Sequence, residues 1–193
     1  MANYCNTSYV VEGNKDELDC LYQTMERLQN MEQPLVENGF GTTWLGCLIA
    51  ELGGNIEDYY CKGDWGGLER QGDTVRFATE SAWQPPFDTM GLLQEKFPSL
   101  VFYFIAEEPG CEVFLKNDKE GKYFPENYLL FLVLPGNRGG DAERFQTKAE
   151  AYRFISEKTG QNISSDEELN VYQKDLRVKG GICYLYQYEC MTI

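Results

Sequence analysis

Four carboxylates are the side chains of this sequence best suited to chemistry: Glu80, Glu107, Glu108 and Asp118. Glu80 falls near the end of one expected strand, Glu107 and Glu108 at the end of another, and Asp118 just past the hairpin that follows. Strand ends meeting in an antiparallel sheet could gather three such acids around Mg²⁺ or Mn²⁺, or set one acid against another as an acid–base pair. That arrangement would make a metal-dependent hydrolase or nuclease. The plainer reading leaves Glu107-Glu108 as a solvated turn and Glu80 as an edge charge, with no catalytic residue at all. Trp83, beside Pro85-Pro86, could serve with Glu107 and Glu108 as a binding platform for a peptide or a base. The alternative is an indole that caps the core where strand becomes helix.

Much familiar chemistry is missing. The sequence has no histidine, which removes the commonest general base and the usual nucleophilic triads. Its seven cysteines are Cys5, Cys20, Cys47, Cys61, Cys111, Cys183 and Cys190, an odd number with no CxxC pair. A structural zinc site needs closely paired thiolates or histidine support, so buried reduced thiols are expected instead. The run Gly136-Asn137-Arg138-Gly139-Gly140 lacks the lysine and hydroxyl of a phosphate-binding loop. Residues 117–121 lack the alternating ligands and terminal glutamate of a calcium loop. No metal and no cofactor is expected.

The net charge is −14, and it is unevenly spread. Residues 1–120 carry 21 acidic and 8 basic side chains, a balance of −13, while residues 121–193 carry 10 and 9, a balance of −1. Such a surface repels phosphates, so direct nucleic-acid binding is not expected. It suits a protein partner with a basic surface, or mimicry of nucleic acid; ordinary solubility is the alternative. No apolar run approaches a membrane span, the start has no signal-peptide pattern, and Ala2 stands where myristoylation needs glycine. The expected location is cytoplasmic, with no membrane contact; oligomeric state is left open.

The elements that must position these residues follow from periodicity. With 42% apolar and 25% charged residues the chain is a folding one, and 13 Tyr and 11 Phe favour sheets with partly wet faces. A first strand is expected over residues 3–11. A helix capped by Asn14 follows, with Leu18, Leu21, Tyr22, Met25 and Leu28 as one apolar stripe. Residues 33–67 look like an insertion holding a short buried helix over 44–52, with 56–67 left between strand and loop; long irregular connections often carry binding surfaces. A hairpin over 67–71 and 74–82 turns at Gly72-Asp73. A short helix capped by Asp88 ends before Pro98, and the most apolar strand, 100–106, should be central. Residues 111–115 return as a hairpin partner. Beyond them the pattern is strand (128–134), helix (capping box Thr147/Glu150), helix (Ser165/Glu168) and strand (182–191).

The opening MANYCNTSYVVEG, the motif ESAWQPP, the run FPSLVFYFIAEEPG and the following KNDKEGKYFP resemble the YubB-type ferredoxin-like domain family over roughly residues 1–125. Asn3 and Cys5 match its opening, Trp83 the tryptophan before its second helix, and Glu108 with Gly110 its turn after the central strand; Tyr4 stands where many members have Trp or His. The resemblance implies small proteins of bacterial plasmids, phages and mobile elements, and assigns no chemistry. The expected fold is α+β: a ferredoxin-like βαββαβ antiparallel sheet with helices on one face over 1–125, interrupted by 33–67, plus a strand-helix-helix-strand extension over 126–193 packed on the same core. The expected function is a non-catalytic accessory or interaction protein, with the carboxylate-cluster enzyme or the acidic nucleic-acid mimic as alternatives.

Overall fold

Residues Tyr4–Glu12 (β1) alternate as a strand with one dry face must: Cys5, Thr7, Tyr9 and Val11 are buried, while Tyr4, Asn6 and Ser8 are exposed. In the computed structural model, which describes residues 3–192, β1 is the centre of a six-stranded sheet. Thr74–Ala82 (β3) flanks it on one side and Val101–Glu108 (β4) on the other, both antiparallel. Gly63–Gln71 (β2) lies outside β3, and Val113–Lys116 (β5) outside β4. At the far edge the two-residue strand Glu189–Cys190 completes the order, and Met191 donates its N–H to the Lys116 carbonyl at 2.7 Å.

Helix Lys15–Gln29 (α1) starts where Asn14 accepts from the N–H groups of Asp16 and Glu17 at 2.9 and 3.3 Å, with Asp16 and Glu17 favourably placed in the first turn. Entry into it depends on Gly13, whose φ is +147° and where a Cβ would stand 2.4 Å from the Ser99 carbonyl oxygen. Leu18, Leu21, Met25 and Leu28 are buried against the dry face of the sheet, each contributing roughly 1.5–3 kcal/mol. Leu45–Glu51 (α2) and Phe87–Lys96 (α3) add Leu45, Leu48, Ile49, Met90, Leu92 and Leu93 to the same apolar cluster. α3 is not capped by Asp88: its N-cap is Pro86, and the Asp88 carboxylate accepts from the Tyr60 N–H at 3.0 Å.

The contacts divide the chain at Asp118/Lys119, with the last residues returning to the first unit. The second unit holds Tyr128–Val133 (β6) between Asp141–Phe145 (β7) and Ile182–Gln187 (β8), with helices Lys148–Thr159 (α4) and Asp166–Val178 (α5). It has an apolar cluster of its own, built from Leu130, Leu132, Tyr152, Ile155, Ile163, Leu169, Leu176 and Cys183. The Thr147/Glu150 capping box is formed in full.

Among the described residues the architecture is therefore mixed α+β, with five α-helices and nine strands in two sheets. The first sheet exceeds the four strands of a ferredoxin-like fold, because β5 and the chain's last strand extend it. Three strands differ from expectation: the single one expected over 182–191 is divided into Ile182–Gln187, in the second sheet, and Glu189–Cys190, in the first. β2 begins at Gly63 rather than near residue 67, and β7 occupies residues for which no strand was expected. The cysteines are not all buried either: Cys5, Cys47 and Cys183 are, whereas Cys20, Cys111 and Cys190 are exposed. No described helix is long and apolar enough to cross a membrane.

Candidate functional site

A groove of about 480 Å³ opens at one end of the first sheet, lined by Tyr4, Phe40, Trp44, Cys61, Lys62, Gly63, Asp64, Glu80 and Ala82. Its size is that of a small-ligand or side-chain site. Register builds its floor: on β2 and β3, Asp64 pairs with Glu80, and Glu80 pairs in turn with Asn6 on β1. Residues directly opposite in an antiparallel pair hold their Cβ atoms about 4.5–5.5 Å apart, so two carboxylates stand side by side. Gly63 makes the close approach of β2 to β3 feasible, since a Cβ there would lie 2.3 Å from the Glu80 carbonyl oxygen.

The wall comes from the segment before α2. Asn38 ties it down: its side-chain oxygen accepts from the N–H groups of Phe40 and Gly41 at 2.6 and 2.8 Å, an Asx turn that lifts Phe40 to 73% exposure. The segment then runs beside β2. Trp44 bridges to Asp64, the Trp65 N–H donates to the Thr43 carbonyl at 3.0 Å, and the Trp44 indole N–H donates to the Cys61 carbonyl at 2.7 Å. The rings of Phe40 and Trp44 have centroids 6.0 Å apart and planes tilted by 34°. Tyr4, at the start of β1, is 56% exposed.

Like charges set directly opposite repel. Neither the Asp64 nor the Glu80 carboxylate has a hydrogen-bonding or ion-pair partner among the described residues. The cation nearest in sequence, Lys62, lies over the Trp83 ring at 5.4 Å from its centroid. Burial raises the Asp64 carboxyl above its ordinary value. Burial likewise pushes the Cys61 thiol up, which argues against an activated nucleophile there. The lining thus sets the aromatic side chains of Tyr4, Phe40 and Trp44 beside two carboxylates, a combination suited to holding a cation.

The residues singled out from the sequence are dispersed. Glu80 lines the groove and is not an edge charge, since β3 lies between β2 and β1. Glu107 pairs with Asn6 from the other side, two strands from Glu80 and so about 10 Å away. Glu108 is no solvated turn residue: it is 3% exposed, and its carboxylate accepts from the N–H groups of Gly110 and Cys111. Asp118 is buried after β5. Among the described residues no three acidic or thiol side chains gather as a metal site, and these four are not brought together.

Trp83 does not cap the core. It is 46% exposed, with φ at +65°, a left-handed conformation that few non-glycine residues adopt. Bonds on both sides hold it there: its N–H donates to the Asn3 carbonyl at 2.8 Å, the Tyr60 hydroxyl donates to the Ala82 carbonyl, and the Ser81 hydroxyl donates to the Gln84 carbonyl at 2.7 Å. The indole is not part of the groove's lining, although its neighbour in sequence, Ala82, and the Lys62 that lies over its ring both are. Sequence reasoning did not single out Tyr4, Phe40, Trp44 or Asp64 as site residues, although the aromatic and acidic mix in the 33–67 insertion was the signal that could have found most of them.

No protein-family model matches the chain, and no curated protein or solved structure matches it either.

Proposed function

We propose that this protein is a non-catalytic interaction protein that docks its acidic first 120 residues against a basic surface of a protein partner. The observation that carries this reading is the Asp64–Glu80 pair: two adjacent carboxylates without partners among the described residues, in a groove they share with aromatic side chains. They belong to a segment whose charge balance is −13. Holding like charges together works against folding, so a partner that supplies the missing cation gains affinity from them. The wide separation of Glu80, Glu107 and buried Glu108 gives the carboxylate-enzyme alternative no geometric support.

The same proposal takes the first unit as an enlarged ferredoxin-like domain of the YubB type, from a bacterial mobile element. What supports it is the run β2-β3-β1-β4 with antiparallel neighbours, with α1 following β1 and α3 joining β3 to β4. The sequence motifs around Asn3, Trp83 and Glu108 point the same way.

The test is affinity capture on the immobilised full chain at about 0.1 M and about 0.5 M salt, since screening shortens as salt rises. One stoichiometric partner with a basic surface, released at the higher salt, is the expected result. A bare column at both salts, or a partner indifferent to salt, overturns the reading. A captured DNA-binding enzyme released by DNA would favour the nucleic-acid mimic.

A further inference from the structure

We infer that the groove between Phe40, Trp44 and the Asp64–Glu80 pair is a receptor for a guanidinium group, an arginine side chain presented by a basic partner peptide; this rests on the docking function proposed above. The floor selects a cation. Asp64 and Glu80 are register partners on adjacent strands, both exposed to the groove, and neither has a partner among the described residues. An anion would add a third negative charge, and a neutral apolar ligand would desolvate two carboxylates without pairing them.

The walls select the shape of that cation. A guanidinium is flat, stacks on aromatic faces and carries five N–H donors along its edges, so it can meet one carboxylate on each edge while its plane lies against a ring. An ammonium is a compact, strongly hydrated point that cannot bridge two acids and stack at once. Phe40 and Tyr4, 73% and 56% exposed, line the groove and offer such faces, and Trp44, whose ring lies against Gly46, stands beside Phe40 at a tilt of 34°. A divalent metal is a poorer fit, because the described residues supply no third acidic or thiol ligand. The native Lys62 does not fill the position: its ammonium lies over Trp83.

The experiment uses the full chain and three short glycine-serine peptides of equal length, carrying a single central arginine, lysine or citrulline. Binding is read from the amide and indole resonances of the protein at low salt. The expected result is a set of shifts centred on Phe40, Trp44 and Asp64, with arginine binding several-fold tighter than lysine and citrulline not binding. Glu80→Gln and Asp64→Asn should each weaken the arginine peptide about tenfold, the loss of one charge-assisted hydrogen bond. Glu157→Gln in the second unit should not change it. Both groove variants keep the side chain's shape, and a thermal midpoint no lower than that of the unsubstituted chain checks their fold. Equal binding of citrulline and arginine, or arginine binding that ignores Glu80→Gln and Asp64→Asn, overturns the receptor. In the second case salt-dependent capture of a basic partner still stands, so the groove can fail while the docking function survives. No binding of the arginine peptide, alongside a captured partner, likewise sinks the groove alone.

Discussion

At the scale of single residues the groove depends on two backbone positions. Gly63 has no room for a side chain, because the atoms a Cβ would meet are the backbone of Glu80 and Ser81 rather than a movable side-chain tip. Gly63→Ala should therefore destabilise the first unit by about 1–3 kcal/mol, as overpacking does, and push Asp64 away from Glu80. A urea midpoint equal to wild type would show that β2 yields at no cost. Trp83 is the opposite case. Its left-handed φ costs roughly 1–2 kcal/mol for a residue with a Cβ, and glycine removes that cost. Trp83→Gly should leave stability unchanged or raised despite the loss of an indole, and should release Lys62 from its ring. A clear fall in the unfolding midpoint would mean that the exposed indole packs more usefully than its 46% exposure indicates. Strain held at an exposed aromatic beside a groove is what a recognition surface would retain.

At the scale of elements, the second unit offers a titration. The Asp166 carboxylate, at the start of α5, accepts from the Lys148 ammonium at 2.8 Å and from the Tyr152 hydroxyl at 2.5 Å. The Lys148 bond first, then Tyr152, holds its carboxyl below the ordinary range. A depressed folded value means the contribution is present above the unfolded value, near 3.9, and is lost as pH falls through the folded one. The Asp166 carboxyl carbon should thus titrate below about 3.9 by NMR, and Lys148→Met should move it upward. An unmoved midpoint would remove Lys148 as the cause. Tyr152 is pushed up to about 12 by burial and by Asp166, so its share is present below the ordinary tyrosine value and is lost as pH rises through about 12. These helices were readable beforehand because a cap is local: Thr147 and Glu150 declare a start within four residues. The α1 stripe and the alternation of β3 were readable for the same reason. The first half of β2 was not, although 67–71 was, because the register shifts between Gly66 and Glu69, with Gly67 at φ +63°, and that bulge lets both Trp65 and Leu68 face the core, three residues apart. The groove itself was out of reach for another reason: its lining comes from residues 4, 40, 44, 61–64, 80 and 82, joined by the pairing of β1, β3 and β2 and by the bridge from Trp44 to Asp64.

At the scale of the molecule, the charge imbalance and the placement of the tryptophans make one test of the first unit alone. All three tryptophans, Trp44, Trp65 and Trp83, lie within its span, so indole fluorescence reports on it and not on the second unit. Residues 1–120 carry a balance of −13, and folding draws those charges together. Self-repulsion of this kind opposes the compact state and is relieved by salt, since the screening length falls from about 30 Å at 0.01 M to about 3 Å at 1 M. The tryptophan-monitored urea midpoint should therefore rise as sodium chloride is raised. Binding of a basic partner should move the other way, because the same screening removes the attraction that brings it in. The two opposed slopes share one cause, and they can be separated at the groove. Glu80→Gln removes one of two adjacent like charges, so it should raise the midpoint at low salt, lose that advantage at high salt, and weaken the partner under both conditions. A midpoint that falls with salt, or a Glu80→Gln variant less stable than wild type at low salt, would mean that the acidic pair is already compensated within the chain and is not held open for a partner.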